Sequence, residues 1–153
     1  HSARFAVIGL GDFGARHLDV LAGLDGVEVV ALVSRSDTRA RGLAERYGVP
    51  HVFPSVTEML QAVELDAVHV VTDDNRHFEP VMAALRAGVD VFVEKPLSHD
   101  LAEARQMVAL AQELGRKLMV GHIPVSYTHL RAHETPEHLV CRLLLEKKKK
   151  QHK

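Results

Sequence analysis

The sequence predicts an α/β fold, a doubly wound parallel sheet with helices on both faces. Three observations predict it. From residue 4 to residue 120, apolar β-branched runs alternate with amphipathic stretches. The strand-like runs are apolar almost throughout, as expected of strands covered on both sides. A glycine cluster follows the first run directly and opens the first helical stretch. Right-handed crossovers between parallel strands then wind the chain onto both faces.

The elements follow in order. Residues 4–10 read as a buried strand, and residues 13–24 carry Leu18, Leu21 and Ala22 at helical spacing. Residues 27–33 are the second strand. Asp37 is expected to cap a helix over 38–47, which Gly48 ends in the left-handed conformation open to glycine. Residues 52–53 form a short third strand, and Ser55 caps a short helix holding Met59 and Leu60. Residues 67–71 are a strand, 78–87 a helix stopped by Gly88, and 90–93 another strand. A long amphipathic helix over 99–114 ends at Gly115, and 117–120 is the last strand.

Composition bounds the function. The 153 residues are 46% hydrophobic and 25% charged, which suits one ordinary globular domain with a real core. No apolar run approaches the roughly 20 residues of a membrane span. A single cysteine, Cys141, excludes an internal disulfide framework and fits a reducing compartment. The apolar start runs into Gly and acidic residues without a cleavage-like segment, so no signal peptide is expected. The expected location is cytoplasmic. The net charge of −1 hides an asymmetry: residues 1–124 hold 12 basic and 17 acidic side chains, residues 125–153 hold 7 and 3. Such a shift suggests two pieces of different origin.

The glycine cluster is Gly9-Leu10-Gly11-Asp12-Phe13-Gly14, a G-x-G-x-x-G between a strand and a helix. Gly9 permits a tight turn, Gly11 lets backbone approach a pyrophosphate, and Gly14 lets the helix pack close to the strand. The helix N-terminus offers free N–H groups to phosphates. In this context the loop predicts a Rossmann-type dinucleotide site, against a glycine turn kept only for packing. The residue ending the second strand faces the ribose. Ser34 stands there, followed by Arg35 and Ser36, with Arg39 one turn on. A carboxylate there would bind the 2′-hydroxyl of NAD, whereas Ser and Arg suit a 2′-phosphate. NADP is therefore favoured over NAD. The competing reading leaves Arg35 solvated and brings Asp37 to the ribose.

Ligands of open parallel sheets lie beyond the carboxyl ends of the strands. Two polar clusters fall there: Thr72-Asp73-Asp74-Asn75-Arg76-His77, and Glu94-Lys95-Pro96. From these, Thr72, Asp73, Asn75, His77, Glu94, Lys95 and Pro96 are candidate cofactor contacts. A lysine at a buried strand end could stabilise charge on a reacting oxygen. Equally, Glu94 and Lys95 could be a surface ion pair of small consequence.

The stretch over about residues 4–123 resembles the glucose–fructose oxidoreductase/inositol dehydrogenase (Gfo/Idh/MocA) family. One marker is Gly9 to Gly14 followed by Ala15-Arg16-His17. The other is His77, then Ala84-Leu85-Arg86-Ala87-Gly88-Val89-Asp90-Val91-Phe92-Val93-Glu94-Lys95-Pro96. The resemblance implies that Lys95 is the catalytic lysine, near nicotinamide and substrate. It implies a cis Lys95–Pro96 bond and a place for His77 in the nicotinamide-side loop. It implies hydride transfer between nicotinamide and a sugar, polyol or related carbon, with the general acid/base histidine on a second domain. The family usually has Thr-Pro where this chain has Thr72-Asp73.

After Ile123 the chain departs from that pattern. Residues 125–153 resemble translated sequencing-adapter read-through, and a lysine run such as Lys147–Lys150 is what a poly-A stretch encodes. The reading is a dinucleotide-binding domain over 1–124 and a non-native tail over 125–153, with the substrate domain missing. His129, His133, His138 and Cys141 permit a zinc site to be drawn, but Pro136 interrupts it and no metal is expected. The expected partners are the dinucleotide and, in a homo-oligomeric full-length parent, a small sugar-like substrate, with no nucleic acid or membrane. The chain alone is expected to turn nothing over. The reading of a different class is a stand-alone NAD(P)-binding regulatory module.

Overall fold

The computed structural model describes residues 2–72 and 76–121. Its elements run β1 (Ala3–Ile8), α1 (Asp12–Ala22), β2 (Val27–Val33), α2 (Asp37–Tyr47), β3 (His51–Phe53), α3 (Val56–Ala62), β4 (Ala67–Val70), α4 (Phe78–Arg86), β5 (Asp90–Glu94), α5 (Leu101–Leu114) and β6 (Leu118–Gly121). The strands form one sheet in the order β3-β2-β1-β4-β5-β6, and each neighbouring pair is parallel. That order reverses direction between β1 and β4, which opens a crevice at the carboxyl ends there.

Period-2 alternation splits each strand between two cores. Ala6, Ile8, Val68, Val70, Val91 and Val93 pack into the core that includes Met59, Val81, Leu85 and Met107 from α3, α4 and α5. Phe5, Val7, Ala67 and Val71 turn the other way, onto Leu18 and Leu21 of α1 and Ala40 and Ala44 of α2. Fully burying one such aliphatic or aromatic side chain stabilises by about 1.5–3 kcal/mol, so both faces contribute heavily. Both faces of the sheet are thus covered, as the apolar strands required.

Helix ends follow local chemistry. Gly48 and Gly115 close α2 and α5 at φ of +69° and +64°, and Gly88 stands just past α4 at +78°. Three helix starts differ from expectation: α1 begins at Asp12 rather than residue 13, and the other two shift with their caps. Ser36, not Asp37, caps α2: its hydroxyl accepts the Arg39 N–H at 3.3 Å. Asp37 instead sits in the first turn, where a carboxylate meets the positive end of the helix dipole. The last helix starts at Leu101 rather than residue 99, because the Asp100 side chain accepts the N–H groups of Ala102 and Glu103 at 2.8 and 3.2 Å. No helix among the described residues is long and apolar enough to cross a membrane. Residues 125–153, with the histidines and Cys141 noted above, lie outside the described residues.

Candidate cofactor and active site

The strand registers bring the candidates to one edge. Ile8, Val33, Val70 and Val93 stand level across β1, β2, β4 and β5. Gly9, Ser34, Val71 and Glu94 are each the next residue, so the four chain exits share the same side of the sheet. With neighbouring strands about 4.8 Å apart, Ser34 and Glu94 lie roughly 14 Å apart across that edge.

The three loop glycines have three different environments. Gly9 has φ +94°, and a Cβ there would lie 2.7 Å from Val71 O. A Cβ on Gly14 would lie 2.1 Å from Gly9 O. These two positions exclude a side chain because the loop is folded onto itself and onto the end of β4. Gly11 has an ordinary φ of −70° and caps α1; a Cβ there would meet nothing within 4 Å. Its lack of a side chain is not needed by the fold. It leaves open the space in front of the first turn of α1, where the N-cap makes no side-chain hydrogen bond. That turn presents unpaired N–H groups to an anion.

A cleft of about 910 Å³ runs along this edge, lined by Gly9, Gly11, Ser34, Arg35, Arg39, Thr72 and Arg76 among others. Its size is that of a ligand site. At the β2 end, the Ser34 hydroxyl accepts the Ser36 N–H at 3.1 Å. Arg39 Nε donates to Leu10 O and so ties α2 to the glycine loop. Nothing local marks that tie, since the partners are 29 residues apart. Arg35 lines the cleft with an exposed side chain. Asp37 does not line it; its carboxylate accepts from Arg41 Nε at 2.8 Å on the outer surface.

At the ends of β4 and β5, His77 is buried between two loops. Its Nδ1 lies 2.8 Å from Pro96 O and its Nε2 3.0 Å from Thr72 O. Both neighbours are acceptors, so the neutral ring donates to one of them and the imidazolium to both. Either way His77 ties the Thr72 loop to the Lys95–Pro96 turn. Thr72 Oγ1 donates to Arg76 O at 3.3 Å. The Lys95–Pro96 bond is cis. The Lys95 side chain is exposed and its backbone N–H donates to Gly121 O. Glu94, Lys95, Pro96 and His77 share the edge but do not line the cleft. Asp73 and Asn75 lie outside the described residues. Asp12 and Phe13 open α1.

The surface ion pair between Glu94 and Lys95 does not form. Glu94 Oε2 instead lies 3.3 Å from Nε2 of His17, whose side chain is 1% exposed. His17 stands edge-on to His69, with ring centroids 4.9 Å apart, and His69 stacks on Phe92 at 4.5 Å. His69 was unmarked in the sequence reading, and His17 stood there only as a marker of resemblance. The legible signal was position: His17 falls three residues after Gly14 on the inward face of α1, and His69 interrupts the apolar run of β4.

His69 carries a pH consequence. Burial pushes its imidazole well below the usual value of 6.5, and the neighbouring His17 adds to the shift. Below that value the unfolded chain takes up a proton that the folded chain refuses. Stability from this residue is therefore present above about pH 6.5 and is lost as pH falls, by up to about 1.4 kcal/mol per pH unit. His69→Phe keeps a ring against Phe92 and should flatten this acid slope. Urea unfolding of both proteins between about pH 5 and 7.5 checks it; equal slopes would contradict the assignment.

Parallel strands in this order, a glycine turn at the switch point and an open cradle at a glycine-capped helix define a dinucleotide-binding Rossmann domain. Residues 3–122 match the family model described as "Oxidoreductase family, NAD-binding Rossmann fold", and the chain belongs to that family. It is 40% identical over 119 residues to 4-carboxy-2-hydroxymuconate-6-semialdehyde dehydrogenase of Sphingobium sp., a match covering 78% of this chain and 38% of that protein. It is 35% identical over 118 residues to myo-inositol 2-dehydrogenase of Thermotoga maritima, covering 77% and 35%. Among solved structures, scyllo-inositol dehydrogenase from Lactobacillus casei with bound NAD(H) and scyllo-inositol superposes with a TM-score of 0.76 at 25% identity, covering 79% of this chain and 36% of that one. The chain thus spans little more than a third of the length of these relatives.

Proposed function

We propose that this chain is the dinucleotide-binding part of a longer, NADP-preferring enzyme that passes a hydride between nicotinamide and a carbon of a sugar, polyol or related hydroxyl or ketone substrate. The observation that carries the dinucleotide reading is the open space at Gly11, the N-cap of α1, before its first turn. A bound dinucleotide supplies the hydride donor or acceptor. This chain's residues do the rest of the work on this side of the site. The first-turn N–H groups of α1 hold phosphate oxygens. Ser34 and Arg35 hold the ribose end, with Arg35 supplying the cation that a 2′-phosphate needs. Asp37 is turned away onto Arg41, which removes the carboxylate that would repel that phosphate. Lys95, exposed at the end of β5, donates to the reacting oxygen and stabilises charge as it develops there. Of the three relatives named above, the two inositol dehydrogenases support this substrate class, while the third is named for a carboxylated semialdehyde.

Two glycine substitutions test the reading. Gly11→Ala projects into open space, so it should cost no more than about 1 kcal/mol of stability, the scale of losing a good N-cap. It should nonetheless weaken NADPH and NADH binding about tenfold or more, because it fills the phosphate cradle and forfeits charge-assisted hydrogen bonds. Gly14→Ala drives a carbon into Gly9 O and should destabilise the fold itself, by about 1–3 kcal/mol or more. Calorimetric binding and thermal unfolding separate the two. Unchanged dinucleotide affinity in Gly11→Ala would sink the cradle.

A further inference from the structure

We propose that His17 and Glu94 form a positioning pair that fixes the Lys95–Pro96 turn to the phosphate-binding helix, so that the two ends of the candidate site move as one body. The part played by Lys95 and the dinucleotide rests on the function proposed above; the mechanical link does not.

The geometry begins with strand parity. On β5, Val91 and Val93 face the core under α4 and α5. Phe92 and Glu94 therefore face the opposite side, beneath α1. On β4, Val68 and Val70 likewise face α4, which turns His69 toward α1. Register places His69 directly beside Phe92. Helix α1 packs chiefly on β1 and β2. The His17 ring reaches from it past β4, edge-on to His69 and tilted against Phe92 with centroids 6.2 Å apart, to the last residue of β5. This ring joins the helix that would carry the phosphates to the residue just before Lys95.

The chemistry of the link is costly, which argues for a use. Both ring nitrogens of His17 and both of His69 are buried without a well-aligned hydrogen bond among the described residues. His17 Nε2 and Glu94 Oε2 are 3.3 Å apart but off the line of a hydrogen bond. Buried polar groups left this way are expensive, and apolar side chains of similar shape are often as stable or more so. A carboxylate oxygen is an acceptor, so an Nε2–H at 3.3 Å is drawn to it electrostatically without a formed hydrogen bond. The aromatic contacts hold that ring in place, and the ring holds the carboxylate. Glu94 is thereby kept pointing inward while Lys95, the next residue, projects from the edge.

Amide hydrogen exchange of the whole chain tests the link without any ligand. His17→Phe keeps the ring contacts and removes the nitrogen. Glu94→Gln keeps the shape and removes the charge. Each should speed exchange of the Lys95 amide about tenfold while the mid-sheet amides of Val7 and Val91 keep their rates. The double variant should be no faster than either single one, because both break the same contact. Unchanged Lys95 exchange in both variants overturns the proposal. So does uniform acceleration of all three amides, which would mean that the pair serves only global stability. NADPH is then added. In the unsubstituted chain it should slow the Lys95 amide further, and in His17→Phe it should not. If NADPH slows no amide, even in the glycine loop, the cofactor reading fails and the ligand-free result still decides the link.

Discussion

In the full-length enzyme, Lys95→Met should lower kcat by about 10²–10³, the usual cost of removing one preorganised donor from a developing oxyanion. Dinucleotide affinity should change little, because the cradle at Gly11 and α1 lies elsewhere on the edge and Lys95 does not line the cleft there. Stability should also change little, since the side chain is exposed. The structure sharpens this expectation. An ion pair with Glu94 would have given the lysine a structural role worth at most about 1 kcal/mol. Glu94 faces His17 instead. Steady-state kinetics with saturating cofactor, beside a cofactor titration, separate the outcomes. A Lys95→Met enzyme with near-normal kcat would show that the proton and charge at the reacting oxygen are handled by another group.

Much of the fold was legible because its signals are local. Gly48, Gly88 and Gly115 mark helix ends at which the backbone turns to positive φ, a demand that glycine meets without strain. Continuous apolar runs reported strands buried on both faces, and the glycine loop identified the first crossover. Where two neighbouring residues offer the same chemistry, the sequence leaves the choice open. Ser36 and Asp37 are both good caps, and so is Asp100 just beyond His99; only the hydrogen bonds from backbone N–H groups to these side chains select among them. The grouping of the candidate residues was legible in part for the same reason. Gly9, Gly11, Ser34, Arg35, Arg39 and Thr72 do converge on one cleft. The partner of Glu94 was not legible, because it lies on another element 77 residues away and adjacency in sequence pointed to Lys95. Parity along β5 contained the answer, since a residue two past buried Phe92 faces the same helix. The tie from Arg39 to Leu10 had no such signal.

Arg35→Asp should reverse the cofactor preference. The β2 end of the cleft holds Ser34, Arg35, Ser36 and Arg39. Two of these have visible structural duties: the Ser36 hydroxyl caps α2, and Arg39 Nε is engaged by Leu10 O. Ser34 accepts from Ser36, which holds its hydroxyl at the turn. On the proposed reading, Arg35 is the exposed cation that meets a 2′-phosphate, since Arg39 Nε is engaged by Leu10 O. Hydrogen bonds to charged groups are worth about 1.5–3 kcal/mol, so removing that cation should weaken NADPH binding by about 10–100-fold. The new carboxylate adds repulsion against the phosphate and, for NADH, offers an acceptor pair to the 2′- and 3′-hydroxyls. NADH affinity should therefore hold or rise while NADPH affinity falls. Calorimetric titration of both cofactors into both proteins reads the ratio directly. Parallel losses for NADH and NADPH would mean that Arg35 supports the loop without selecting the ribose. In that event Arg39 becomes the residue to change, with the glycine-loop stability measured alongside because of its tie to Leu10.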